Sequence, residues 1–121
     1  MHGYRALGNV LRTGEADMAA MFRKDLGWIA FEPGEVTVKE SGNVVGAGLK
    51  KIVLKHAEDL GILPVVIERG KISFVDTGKN RRSAIVEFEG YRAMFRLERF
   101  GDRETWLITH YFNAENLELL R

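Results

Sequence analysis

The sequence predicts a single α+β domain in which N-terminal helices pack on a roughly four-stranded antiparallel meander sheet. A chain of 121 residues, 45% of them hydrophobic, suffices for one core and is short for two. From residue 71 onward, apolar and polar residues alternate in runs separated by turn signals, which is typical of strands joined by hairpins. We therefore predict one domain over residues 1–121, with a helical N-terminal part at 1–40.

Helices are predicted at three places. Residues 15–26 are rich in Ala and Met, carry acidic residues early and basic residues late, and are followed by Gly27. Residues 49–60 place an apolar stripe at helical spacing: Leu49, Ile52, Val53, His56, Ala57 and Leu60. Residues 62–70 are rich in Val and Ile, which also suits a strand, but Pro64 fits the first turn of a short helix.

The remaining segments predict strands. A short strand is expected at 35–39, and the meander at 71–77, 82–88, 91–100 and 104–112. Alternation gives each strand two faces. It places Arg92, Met94 and Arg96 on one face of their strand, and Thr105, Leu107, Thr109 and Tyr111 on one face of the last strand, with His110 on the opposite face.

Composition narrows the function. The absence of cysteine excludes disulfides and thiolate metal sites, and three scattered histidines are a poor metal set, so no metal and no cofactor are predicted. There is no apolar run of membrane-spanning length and no secretory signal at the start, which predicts a cytoplasmic protein, or one delivered into a target cytoplasm within a larger chain. Residues 69–103 hold nine Lys/Arg and five Asp/Glu, a pattern that fits either an RNA-binding surface or a solvated sheet face.

The central helix carries the first candidate residues. His56 lies within the apolar stripe, where it is either a core histidine or a half-buried general acid or base. Lys51 and Lys55 flank it one turn apart, as phosphate contacts or as a solvated face. Gly46 and Gly48 precede the helix and either let a ligand approach its N-terminus or simply make a turn.

The last two strands carry the second set. Guanidinium groups form bidentate hydrogen bonds with phosphate, so Arg92 and Arg96 are candidate phosphate contacts. The alternative is that both are solvent-exposed side chains of an edge strand. The hydroxyl groups of Thr109 and Tyr111 share a strand face and would orient a phosphate. The alternative for Tyr111 is a core aromatic with a solvated tip.

Two motifs in order resemble a known family. The run from Gly46 to His56, GAGLKKIVLKH, and the segment from Trp106 to Tyr111, WLITHY, resemble the phage-associated branch of the barnase, EndoU, colicin and RelE (BECR) nuclease superfamily. The resemblance covers about residues 44–112. It implies a BECR-like core there and RNA, including tRNA, as the substrate class. It also implies an immunity or antitoxin protein as a partner.

The resemblance also implies that His56 and Lys55 are active-site residues of the helix, that Arg92 or Arg96 contacts the phosphate, and that Thr109 and Tyr111 complete the site. In the mechanism that we expect from these groups, His56 would be the general base, and Thr109 would orient the phosphate. Arg96, Arg92 and Lys55 would stabilise the negative charge, and either Tyr111 or Lys51 would be the acid. Where the family often has a first histidine in its helix motif, this chain has Lys51.

A metal-independent endoribonuclease that leaves 2′,3′-cyclic phosphate is therefore the leading functional hypothesis. A non-catalytic RNA- or protein-binding domain of a phage or toxin polypeptide is the alternative. A nucleotide-transferring enzyme that uses the same cleft is a weaker third possibility. The sequence leaves open the RNA substrate, the oligomeric state and whether the chain is a piece of a longer protein.

Overall fold

The computed structural model describes residues 2–76, 82–99 and 101–112 as a mixed α+β fold with a mostly antiparallel six-stranded sheet. Its three α-helices and one 3-10 segment are α1 (His2–Thr13), α2 (Leu49–His56), the 3-10 segment Ala57–Ile62, and α3 (Leu63–Arg69). Its strands are β1 (Asp17–Arg23), β2 (Gly27–Phe31), β3 (Glu35–Val38), β4 (Val44–Ala47), β5 (Lys71–Asp76), β6 (Ser83–Phe88), β7 (Tyr91–Arg99) and β8 (Asp102–Phe112).

The sheet joins the two ends of the chain. Its strand order is β1-β2-β8-β7-β6-β5, and β3 and β4 form a separate two-stranded sheet. The predicted meander of β5 to β8 is confirmed, with antiparallel neighbours throughout. The first turn of the meander lies outside the described residues. Two further strands extend the sheet because β2 pairs in parallel with β8.

The predicted helix at 15–26 is wrong, because these residues contain β1. Met21 and Phe22 pair with Ile29 and Trp28 across a tight connection in which Gly27 has a φ of 77°. The Ala and Met content favours a helix locally, but pairing with β2 buries Met21 against the core, and such tertiary contacts override propensity. The helix of the N-terminal part is instead α1, which buries Ala6, Leu7 and Val10.

The core lies between one face of the sheet and the helices. α1 packs on β1 and β2, whereas α3 packs on β6, β7 and β1. The buried apolar side chains of the sheet include Ile29, Phe31, Val86, Ala93, Phe95 and Leu107, and the helices contribute Leu49, Ile52, Leu63, Val66 and Ile67. In the part of the chain that the structure describes, no helix combines the length and the apolar character needed to cross a membrane.

α2 lies along the edge of β8 and ends earlier than predicted. β2 pairs with β8 only as far as Trp106, so the rest of that edge is open to other partners. There, the Gly48 N–H donates to the Ile108 carbonyl oxygen, 2.9 Å away. This hydrogen bond holds the start of α2 beside β8. The helix ends at His56, and the chain continues as the 3-10 segment.

The apolar stripe predicted over residues 49–60 is correspondingly shorter. Leu49 and Ile52 are buried, whereas Val53 is exposed, so the prediction is wrong for Val53. Ala57, which belongs to the 3-10 segment, is also exposed. For Ala57 the reason is geometric: His56 has φ −140° and ψ 40°, values outside the α-helical range, so helical spacing stops applying at that residue.

A bulge in β8 overturns the predicted face of the last strand. Leu107 pairs with Phe95 and faces the helices, but Thr109 pairs with Met94 on the opposite face, because Ile108 is an extra residue between them. Thr109 and Tyr111 therefore share a face with Arg92 rather than with Leu107.

Candidate functional site

A row of four side chains crosses the face of the sheet opposite the helices and ends at α2. Glu87 of β6 pairs in register with Arg92 of β7, and Arg92 pairs in register with Tyr111 of β8. The ring of His56, at the end of α2, lies beside Tyr111 with 5.6 Å between ring centroids and 34° between ring planes. We call these four residues the polar row.

Arg92 is the charged centre of the polar row. Its Nε donates to Glu87 Oε1 at 2.7 Å, and its guanidinium also donates a hydrogen bond to the Tyr111 hydroxyl oxygen. The hydrogen bond to Tyr111 is the main reason that the pKa of Arg92 is raised above its usual range, and Glu87 adds to the effect. Both side chains of the ion pair are about 30% exposed, so solvent and solutes reach the guanidinium.

His56 sits where the two faces of the sheet meet the end of α2. It is half-buried and contacts Tyr111 on one side. His110, which directly precedes Tyr111 in β8, is fully buried and stacks on Tyr91 with 5.7 Å between ring centroids. Burial, and next the nearby charge of His56, lower the pKa of His110 to about 4. Near neutral pH, the His110 ring is therefore uncharged.

The second set of predicted residues is only partly brought together. Thr109 is buried and lies two residues before Tyr111 in β8, opposite Met94. Arg96 is exposed and pairs with other residues, four positions from Arg92 along β7, which is about 13 Å in a strand. The structure thus places Tyr111 and Arg92 together and leaves Arg96 outside the polar row.

The two lysines of α2 lie at its surface. Lys51 is half-buried and Lys55 is exposed, one helical turn apart. Because Lys55 directly precedes His56, its flexible ammonium group has the reach to contribute positive charge near the polar row. Neither lysine forms an ion pair within the described residues, and both are candidate phosphate contacts.

Gly46 and Gly48 have a packing role. A β-carbon at Gly46 would collide with the Glu35 carbonyl oxygen, and both glycines have positive φ values, 146° and 92°. Two amides at the start of α2 already have backbone partners: Leu49 N–H donates to the Glu32 carbonyl oxygen and Lys50 N–H to the Pro33 carbonyl oxygen, at 2.9 and 3.0 Å. These two N–H groups are not available to an anion, and the assignment of the glycines to substrate binding stays a prediction.

The basic block of residues 69–103 is partly neutralised where it folds. Arg99 forms an ion pair with Glu32, and its guanidinium lies 4.7 Å from the centroid of the Trp106 ring. Arg92 is paired with Glu87 in the same way. Two of the nine positive charges in this block are thus paired with local carboxylates.

The sequence did not lead us to place Glu87 beside the predicted phosphate contacts. The signal was present, because Glu87 and Arg92 are the second residues on either side of the Glu89–Gly90 turn. Both turn residues have positive φ, 50° and 86°, as a two-residue hairpin requires. In such a hairpin these second positions face each other, so opposite charges there predict an ion pair across the strands.

Comparison of the chain with protein-family models, with curated proteins and with solved structures finds no match in any of the three.

Proposed function

We propose that this chain is a metal-independent endoribonuclease that cleaves RNA by attack of the 2′-hydroxyl group and leaves a 2′,3′-cyclic phosphate. The observation that carries the proposal is the contact of an imidazole, His56, with a phenol, Tyr111, that is itself hydrogen-bonded to a guanidinium, Arg92. Two proton-transfer groups and a permanent cation thus adjoin one another, as phosphoryl transfer without a metal requires.

His56 and Tyr111 each carry out one of the two proton transfers. His56 takes the proton of the 2′-hydroxyl group, whose oxygen then attacks phosphorus, and the bond from phosphorus to the 5′-oxygen breaks. Tyr111 gives its proton to the leaving 5′-oxygen. Because Arg92 donates to the Tyr111 oxygen, that hydroxyl group's own proton remains available to another acceptor. Each proton-transfer group contributes about 10²–10⁴-fold to rate.

Arg92 supplies the charge stabilisation. A guanidinium group presents five N–H donors, of which the contacts with Glu87 and Tyr111 use a part, so phosphate oxygens can share the group. The negative charge of Glu87 opposes phosphate binding, and Lys55 on the neighbouring helix would compensate for it. Thr109, which lies two residues before Tyr111 on the same face of β8, would orient a phosphate oxygen.

The test is cleavage of a single-stranded RNA in EDTA, followed by analysis of the ends. We expect 2′,3′-cyclic ends and no cleavage when the reacting nucleotide is 2′-deoxy. His56→Ala and Tyr111→Phe should each lower the rate at least about 10²-fold and retain the thermal unfolding transition. Tyr4→Phe is the matched control, since Tyr4 lies on α1 and donates to the Gly61 carbonyl oxygen. Full activity of His56→Ala, or its failure to fold, would remove this assignment.

The Glu87–Arg92 ion pair favours a second candidate function, a non-catalytic RNA-binding domain. A cation that is already paired binds phosphate weakly, and Lys51 stands where a second proton-transfer histidine is expected from the family resemblance. Both functions predict RNA binding that weakens with salt. Binding that persists in EDTA without any cleavage, and that is unchanged in Tyr111→Phe, would select the second candidate.

A further inference from the structure

The end of α2 carries a cluster of metal-ligating side chains that the proposed chemistry does not use. His56, Glu58 and Asp59 each offer one ligand atom, and these three atoms lie within 4.8 Å of one another. We propose that they bind a first-row divalent cation, with Zn²⁺ as the probe, and that the bound cation switches off proton transfer by His56. The switching part of this proposal rests on the proposed ribonuclease function, whereas the metal site does not.

The cluster exists because the helix ends where it does. In a continuous α-helix, residues 56 and 58 would point about 200° apart, on opposite sides. His56 instead leaves the helical conformation, with φ −140° and ψ 40°, and the chain tightens into the 3-10 segment Ala57–Ile62. This change brings Glu58 round to the side of His56 and Asp59.

Asp59 is fixed in place for a ligand role. It is 8% exposed, and its Oδ2 accepts the backbone N–H of Phe112 at 3.2 Å. A carboxylate has two oxygens, so this hydrogen bond orients the group and leaves Oδ1 for a cation, in the way that outer hydrogen bonds orient metal ligands. Glu58 is exposed, so its side chain has room to move toward a cation held by His56 and Asp59.

The donor set selects the ion. One imidazole and two carboxylates match Zn²⁺ and its first-row neighbours better than Ca²⁺ or Mg²⁺, which prefer oxygen alone. Ligand atoms around one tetrahedral Zn²⁺ lie about 3.5 Å apart, as bond lengths of about 2.0–2.2 Å require. The ligand atoms of the cluster, which lie within 4.8 Å of one another, must therefore draw closer when the ion binds. The two negative charges of Glu58 and Asp59 also attract a divalent cation.

Binding at His56 would block catalysis directly. An imidazole that holds a metal through one nitrogen carries its proton on the other nitrogen, so no lone pair is left to accept the 2′-hydroxyl proton. The polar row would keep its structure, because Tyr111 and Arg92 are held by the strands. The cation is therefore an inhibitor in this proposal, and removing it with EDTA restores cleavage.

Zn²⁺ binding to the full chain by titration calorimetry tests the metal site without any RNA. We expect one Zn²⁺ per chain. Glu58→Gln should weaken binding at least about tenfold. The matched control Glu68→Gln removes the same charge from the exposed side of α3 and should bind as the wild type does. Equal affinity of Glu58→Gln and wild type, or the absence of saturable binding, would overturn the site.

Cleavage assays then test the switch, with each protein normalised to its own rate in EDTA. We expect Zn²⁺ to inhibit the wild type and Glu68→Gln at the concentration at which it binds, and to inhibit Glu58→Gln only at least about tenfold higher. Acceleration by Zn²⁺ would overturn the switch. If calorimetry shows the site and no protein cleaves RNA in EDTA, the ribonuclease proposal and the switch both fail, while the metal site stands.

Discussion

The buried ring of His110 should make the stability of this protein depend on pH. The pKa of His110 is lowered from 6.5 to about 4 by burial, and next by the charge of His56. Below pH 6.5 the unfolded chain takes up a proton at this ring, whereas the folded chain does not until about pH 4. The stability is therefore fully present above pH 6.5 and is lost as the pH falls toward 4.

The size of the effect follows from the two pKa values. At about 1.4 kcal/mol per pH unit, the free energy of unfolding should fall by about 2.5 kcal/mol between pH 7.5 and 4.5 from His110 alone. Carboxylates also titrate in this range, so the effect is measured against His110→Phe. That variant keeps a ring against Tyr91 and removes two ring nitrogens that have no hydrogen-bond partner among the described residues.

The assay is urea unfolding of both proteins at the two pH values. We expect His110→Phe to be at least as stable as the wild type at pH 7.5, since it sacrifices no hydrogen bond within the described chain. At pH 4.5 the wild type should have lost about 2.5 kcal/mol more than the variant. Equal losses would refute the reasoning, as would an NMR titration of the wild type in which the His110 ring protonates near pH 6.5.

Two further substitution pairs test the glycine packing and the polar row. Gly46→Ala should destabilise the fold by more than about 1 kcal/mol, because the added β-carbon would collide with the Glu35 carbonyl oxygen at a residue of positive φ. Gly8→Ala in α1 should stabilise the fold by about 0.5–1 kcal/mol, because nothing lies within 4 Å of the added carbon. Thermal unfolding measures both changes, and a shift of both variants in the same direction would contradict this prediction. Arg92→Lys should lower RNA cleavage at least about tenfold, because an ammonium group does not reproduce the fork that holds Tyr111. Arg96→Lys, outside the polar row, should change the rate less than twofold, so similar effects of the two substitutions would argue against Arg92 as the phosphate contact.

Several features of the candidate site followed from local patterns. The helical spacing of Leu49 and Ile52 indicated a helix with a buried face, and these residues are buried. Alternation of apolar and polar residues in the C-terminal half predicted β5 to β8. It also placed Arg92 and Phe95 on opposite faces of β7. Such patterns are readable because each depends on neighbours within one helical turn or one hairpin.

Other features depended on residues far apart in the chain. The Ala- and Met-rich segment at 15–26 favours a helix by itself and becomes β1 only because β2 pairs with it. The parallel pairing of β2 with β8 joins Ala30 to Trp106 and has no local signal. The early end of α2 at His56, which assembles the proposed metal site, likewise departs from the helical spacing of its own segment.

The sequence by itself determined which side chains were available: an imidazole, a phenol and a guanidinium on a helix and two strands that its periodicity predicts. Only the tertiary structure decided that they meet. The extra residue Ile108 shifts the register of β8, so that Tyr111 lies opposite Arg92 and both face away from the core. A bulge changes every face beyond it at once, and its position is set by pairing between strands and packing of the helices, which local spacing does not contain.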